Sequence, residues 1–330
     1  MMRLCYRKTT GSCHRHAKFH YQRHCQDNFR ILTSQDKVYV AVADGHGGIP
    51  YVRSGLGSKF ATAAAIKLLQ ANVPPEEFPK AVKETFDRMV AKHLAHRPLE
   101  DWEVARMKEW DERLPAHYAY GTTLMAAVMT AEGATVFQMG DGEIHALDTQ
   151  GNLMDALPED PHCCENISTS MVQSNDWVLQ HFRYRELKDC SALMLYTDGY
   201  SGPWSMAKGL LDTENLNAHI EHILSKVNHG DDQTFVMVYL PEAIESEPFR
   251  TGLDENIRRL QERLQKEATR RTLRVTLEEL EAFLNRACDN ARLLKARKSP
   301  ELNDCLQKIK LRYEEYLEVQ NQLNELEKEG

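Results

Sequence analysis

The chain has 330 residues, 42% of them hydrophobic and 27% charged, with a formal net charge of −8. That length suits one large domain with an appendage, or two domains, and the composition is that of an ordinary soluble protein. No apolar run approaches the roughly 18 residues that a membrane span needs, and the acidic balance argues against nucleic acid as a partner.

The N-terminus lacks the apolar segment of a secretory leader, and the eight cysteines form no CxxC pair, so a reduced, cytoplasmic setting is expected. Between Arg250 and Gly330 there are 17 basic and 16 acidic residues, so the excess of acid falls on Met1 to Phe249. An acidic cluster is tolerable in a fold when cations neutralise it, which points to divalent metal.

Residues 1–30 are basic and rich in histidine, with Cys13, His14, His16, His20, His24 and Cys25. Their spacing fits no common zinc pattern, and solvated or substrate-facing imidazoles are expected instead. Phe29 to Leu32 alternates like a strand, and Ser34 to Lys37 reads as a turn. Next comes VYVAVADGHGG, Val38 to Gly48: a buried strand by its β-branched and aromatic content, running into Asp44 and a glycine-rich turn. Gly45, Gly47 and Gly48 allow that turn and a close approach of a ligand to the main chain. Asp27 is a second candidate carboxylate, placed on the strand expected to pair with this one.

Residues 54–72 read as a helix packed on the sheet, ended by Pro74-Pro75, and Glu76 to about Ala95 as a second. In the charged stretch 101–113, Trp102 and Trp110 are eight apart and predict one helical face anchored in a core. Strands return from Tyr120. Ala134 to Met139 runs into Gly140-Asp141-Gly142-Glu143, and the chain is expected to continue as an antiparallel meander to Met154. Residues 155–190 are mixed, with Cys163-Cys164 read as free thiols in a flap. Leu193 to Tyr196 is again a buried strand, delivering Asp198-Gly199. A helix around 213–227 leads to Asp231-Asp232 and the strand Phe235 to Leu240. Asp44, Asp141, Asp198 and Asp231 or Asp232 thus stand where a sheet meets its loops. Such oxygen-rich clusters suit Mg²⁺ or Mn²⁺, not zinc.

Taken in order, CQD, VADGHGG, YGTT, MGDGE, YTDG and GDDQT resemble the metal-dependent PP2C-type Ser/Thr protein phosphatases (the PPM family), in the compact form common in bacteria. The resemblance covers about residues 10–241. It implies an α+β fold, a four-layer α-β-β-α sandwich of two antiparallel sheets, and hydrolysis of phosphoserine or phosphothreonine in proteins by a metal-activated water. It further implies two Mn²⁺ or Mg²⁺ ions and a third, weaker site. Carried over by motif, Asp44 bridges the metals, the Gly45 carbonyl holds one, Asp198 and Asp231 complete the pair, and Asp27 acts mainly through bound water. The first acid of the GDDQT motif is the ligand, hence Asp231 over Asp232.

Asp141 with Asp198 resembles the third site, whose further acid is expected four residues on, where this chain has Gly202. His46 is the candidate general acid for the leaving alkoxide; the other reading has it hydrogen-bonding Asp27 or a water. The family's phosphate-gripping Arg corresponds to Gln22, which leaves Arg23, His20 or Lys18 to supply the charge. A phosphorylated protein is the implied partner, and a phosphatase-like regulatory binding module acting through its tail is the alternative.

After Pro241 the composition changes. Residues 242–252 read as a linker, with a phosphatase domain over 1–241 and a helical bundle or coiled-coil-like module over 253–330. Leucines there step by 4-3-4, while a capping box at Thr276 and Glu279 and an N-cap at Ser299-Pro300 predict two or three shorter helices. Such a module either stabilises or dimerises the enzyme, or docks a protein partner.

Overall fold

The computed structural model describes residues 1–10, 24–34, 36–154, 156–158, 160–163, 168–198, 207–226 and 230–328. His20, Gln22, Arg23, Lys18 and Gly202 lie outside them. The chain divides into two compact units, Met1–Asn256 and Ile257–Gly330.

The first unit is built on two five-stranded antiparallel sheets. One has the order β1 (Arg3–Thr9), β10 (Gln233–Tyr239), β9 (Cys190–Tyr196), β6 (Glu143–Asp148), β7 (Leu153–Met154). The other runs β2 (Asn28–Thr33), β3 (Val38–Ala43), β4 (Leu124–Met129), β5 (Gly133–Met139), β8 (Arg183–Lys188). The run that reads as one buried strand is buried on both faces, for different reasons. Val38, Val40 and Val42 join the core between the sheets with Val236, Val238 and Leu195. Tyr39, Ala41 and Ala43 face the other way, into a core shared with α1 (Ser54–Gln70) and α2 (Phe78–His96). Strand alternation thus serves two cores at once. Phe78 of α2 stacks on Phe137 of β5, with ring centroids 4.1 Å apart.

Three features depart from the sequence reading. Strand β1 was not legible in the basic N-terminal stretch; it pairs with β10 over its whole length, Arg3 opposite Tyr239 and Thr9 opposite Gln233. The meander is broken: β5 and β6 belong to different sheets, and the chain crosses between them at Gly140-Asp141-Gly142. Gly140 has φ +107°, and a Cβ there would lie 2.5 Å from the Thr123 side chain, so only glycine makes the crossing. The tryptophans are not core anchors. Helix α3 (Asp101–Lys108) stops before Trp110, which is 67% exposed, and Trp102 is 45% exposed.

Among the described residues this unit also has α4 (Asn175–His181), α5 (Leu216–Lys226) and the single turn α6 (Pro241–Ile244). Residues 242–252, expected as a linker, are mostly helical: α6 ends at Ile244, the chain turns at Glu245 and Ser246, and α7 runs from Glu247 to Ala296. Its start is fastened because Phe249 and Leu253 are fully buried and Arg250 donates to the Leu211 carbonyl at 2.7 Å.

In the second unit the rest of α7 and α8 (Leu302–Lys328) form an antiparallel hairpin, with Tyr316 bonded to Glu281 and Arg274 paired with Glu327 at 2.8 Å. The capping box at Thr276 is not used as one; its hydroxyl donates to the Thr272 carbonyl within the helix, as mid-helix threonines do. Ser299 accepts from the Glu301 N–H just before α8, where the chain turns.

Candidate metal centre

Strand register explains why distant acids meet. Ala43 pairs with Asn28, so Asp44 and Asp27 leave neighbouring strands at the same end. In the other sheet Tyr196 sits opposite both Phe235 and Glu143, which brings Asp198 beside Asp231 and Asp141. One cleft of about 540 Å³ is lined by Asp44, His46, Asp141, Asp198 and Asp231, together with Tyr51, Trp110 and Ser168.

The turn after β3 is held by the YGTT stretch. The Thr122 hydroxyl donates to the Asp44 carbonyl at 2.6 Å, the Thr123 N–H donates to the same oxygen at 2.9 Å, and the Asp44 N–H donates to the Thr123 hydroxyl at 3.0 Å. The His46 N–H donates to the Gly121 carbonyl at 3.1 Å. Gly45 is packed so closely that a Cβ would sit 2.6 Å from the Gln26 carbonyl oxygen. Behind the loop, Arg53 makes a nearly buried ion pair with Glu103 at 2.6 Å and donates to the Tyr120 hydroxyl at 2.8 Å. Thr122 and Thr123 belong to the YGTT motif, whereas Arg53, Tyr51 and the place of Trp110 at the cleft carry no motif signal; only the fold assembles them.

Asp27 is buried, at 1% exposure, and bridges the two sheets: the Thr197 hydroxyl donates to its Oδ2 at 2.9 Å. The paired acids after α5 take different roles. Asp231 lines the cleft, while Asp232 turns inward and accepts from the Gln26 N–H at 2.6 Å.

The electrostatics are those of crowded carboxylates, with Lys8 donating to the Asp27 backbone carbonyl on one side. Burial, then the Asp232 carboxylate, pushes Asp27 up to about 7. Burial, then Asp27, Asp198 and Asp231, holds Asp44 well above the usual carboxylate range. Asp141 is raised by burial and by Asp198, against a hydrogen bond from Ser168. No Lys or Arg is among the described residues lining the cleft. Hard oxygen donors that repel one another in this way fit divalent Mg²⁺ or Mn²⁺, whose charge would reverse the strain. His46 stacks near Tyr51, with ring centroids 4.8 Å apart, and burial lowers its pKa to about 4.

A family model described as protein phosphatase 2C matches residues 11–243. Among solved structures, a bacterial serine phosphatase superposes with a TM-score of 0.51 at 15% identity, covering 72% of this chain and 98% of that one. The Ser/Thr phosphatase Stp1 from Staphylococcus aureus covers 73% and 95% at 15% identity with a TM-score of 0.49, too low to argue from. At these identities the likeness is one of fold. No curated protein sequence matches the chain.

Proposed function

We infer the function from the family: this chain belongs to the protein phosphatase 2C family, and it is a metal-dependent protein phosphatase. The finer reading is that it hydrolyses phosphoserine and phosphothreonine at a binuclear Mg²⁺ or Mn²⁺ centre. The observation that carries it is the convergence of Asp27, Asp44, Asp198 and Asp231 from four separate strand ends, with Asp44 raised by burial and then by the other three. Asp44 would bridge the two ions, the Gly45 carbonyl would hold one, and Asp198 and Asp231 would complete the set. Asp27, tied to Thr197, would act at one remove, and Asp141 with Asp198 supports a third, weaker site. When bound, the pair of cations supplies Lewis acidity, which activates a water and offsets charge on the phosphoryl oxygens.

The chain's own residues do the rest. Thr122 and Thr123 fix the Asp44 backbone, so the carboxylate needs no reorganisation when substrate arrives. His46 at the cleft is neutral near pH 7 in the free site. As donor to the leaving alkoxide it would have to carry a second proton, which the negative charge of the substrate phosphate favours and the bound cations oppose. The exposed Trp110 ring at the cleft supports docking of an extended peptide flanking the phosphorylated residue. Arg23 or His20 would grip the phosphate. The helical module would serve self-association or partner docking.

The test is turnover of a phosphothreonine peptide with Mn²⁺, Mg²⁺ or EDTA, for the native chain and for Asp198→Ala. Metal-dependent turnover that the substitution abolishes is the expected result. Equal turnover in EDTA, or a preference for nucleotide or sugar phosphates, would overturn it.

A further inference from the structure

A second cluster of ligand-type side chains lies outside that centre and has different chemistry. Asp160, His162 and His181 place one ligand atom each within 4.8 Å of one another. His181, the last residue of α4, points its Nδ1 at the Asp160 carboxylate, 3.3 Å from each oxygen. The His162 Nδ1 is 3.5 Å from Asp160 Oδ1, and the His162 N–H donates to that same oxygen at 3.0 Å.

We propose that Asp160, His162 and His181 form a binding site for one Zn²⁺ ion, separate from the Mg²⁺/Mn²⁺ centre. Zinc bound tetrahedrally at about 2.0–2.1 Å has its ligand atoms about 3.3–3.4 Å apart, which is the separation seen here between His181 and Asp160. Two imidazoles and a carboxylate suit zinc, with a fourth position left for water or another ligand. The carboxylate cluster of the cleft suits the harder ions, so the two sites sort metals by donor type.

A plain hydrogen-bonded Asp–His pair accounts for less of what is present. The His181 side chain is 6% and the Asp160 side chain 2% exposed, yet Asp160 Oδ2, 3.3 Å from His181 Nδ1, is buried without a hydrogen bond of its own. The His162 side chain, 51% exposed, leaves one side open for an ion to enter. Arg183 lines the same cavity as Asp160 and donates to the Pro158 carbonyl, so the carboxylate already has one cation nearby; zinc must bind in its presence. Once bound, the ion would tie the loop carrying Asp160 to the end of α4. That loop walls a cavity of about 480 Å³, to which Asp141 also contributes.

Trp177 makes the site observable, because its ring centroid lies 4.3 Å from that of His181 and 5.4 Å from that of His162. The 330-residue chain, stripped of metal and then held in excess Mg²⁺, would be titrated with Zn²⁺ against a chromophoric chelator. In parallel, Co²⁺ would be added while tryptophan emission is followed. The native chain should take up a zinc equivalent that Asp198→Ala retains and that His162→Ala weakens by at least about tenfold. Co²⁺ should quench emission in the native chain, and the quenching should fall in Trp177→Phe. His162 is half-exposed, so its replacement leaves the fold intact; His181→Gln is the second variant. Unchanged zinc affinity in His162→Ala, or Co²⁺ quenching that is the same in Trp177→Phe, would overturn the proposal.

Discussion

The strand ends of the first unit and the helical hairpin of the second hold their side chains by opposite means. At the strand ends, buried hydroxyls hold the acids in place against their own repulsion: Thr197 donates to the Asp27 carboxylate, and Thr122 and Thr123 bond the Asp44 backbone. In the hairpin the polar contacts are exposed, as in Lys308–Asp304 at 2.8 Å, and several large apolar side chains face solvent, Leu311 at 60% and Leu293 at 58%. Exposed pairs of that kind contribute little each. The first region therefore stores strain that a cation can relieve, while the second tolerates change at most positions.

The largest effect is expected where that strain is removed. Asp44→Asn should lower turnover by about 10³-fold or more, since it takes away a ligand worth several kcal/mol of transition-state charge stabilisation. The same substitution should raise the melting temperature in EDTA, because Asp44 no longer repels Asp27, Asp198 and Asp231. Lower stability in EDTA would mean that the carboxylate is held by contacts and not strained against its neighbours.

The pH dependence follows from the same crowding. Asp27 sits at about 7 in the folded chain against about 4 when unfolded. Between those values the native state binds the proton more tightly, so stability in EDTA should fall as pH rises from about 4 to about 7, by a few kcal/mol at most. Saturating Mg²⁺ should flatten that slope. Thermal unfolding across the pH range, with and without the ion, measures both; a flat profile in EDTA would remove the basis for the fit to metal.

How much of this was legible beforehand depends on what each signal rests on. Val38 to Ala43 and Leu193 to Tyr196 announce buried strands because both faces are apolar, and an Asp-Gly after each marks a strand end. The order of motifs carries the family. Sheet membership is not local: β5 and β6 read as one hairpin, and only the packing of Gly140 against Thr123 shows that the chain changes sheet there. Strand β1 is hidden because Arg3, Arg7 and Lys8 give it no apolar alternation, and its order comes from pairing with β10. Trp110 was misread because eight-residue spacing assumes an unbroken helix, and α3 ends at Lys108. Asp160, His162 and His181 are 2 and 19 residues apart in sequence, a spacing that suggests nothing until α4 folds back.

A smaller effect is expected from Thr122→Val. It leaves the Asp44 carbonyl with one donor, the Thr123 N–H, in place of two. The loss should be about 1–3 kcal/mol of stability. Turnover should fall about ten- to hundredfold as the loop shifts, because small displacements of a positioned group are costly. If Thr122→Val lost stability with turnover intact, the YGTT stretch would be a fold element alone.

The smallest effects belong to the hairpin, and there the contrast can be drawn within one element pair. Leu280 of α7 is 6% exposed and Leu311 of α8 is 60% exposed. Leu280→Ala should cost about 2–5 kcal/mol in the helical transition followed by circular dichroism, whereas Leu311→Ser should stay within about 0.5 kcal/mol. Neither should alter turnover on a phosphopeptide, since no residue of α8 lines the cleft among the described residues. If Leu311→Ser destabilises the chain by more than this, and does so increasingly at high protein concentration, Leu311 is covered by a second copy. Self-association would then be a property of the hairpin, and the exposed leucines its interface.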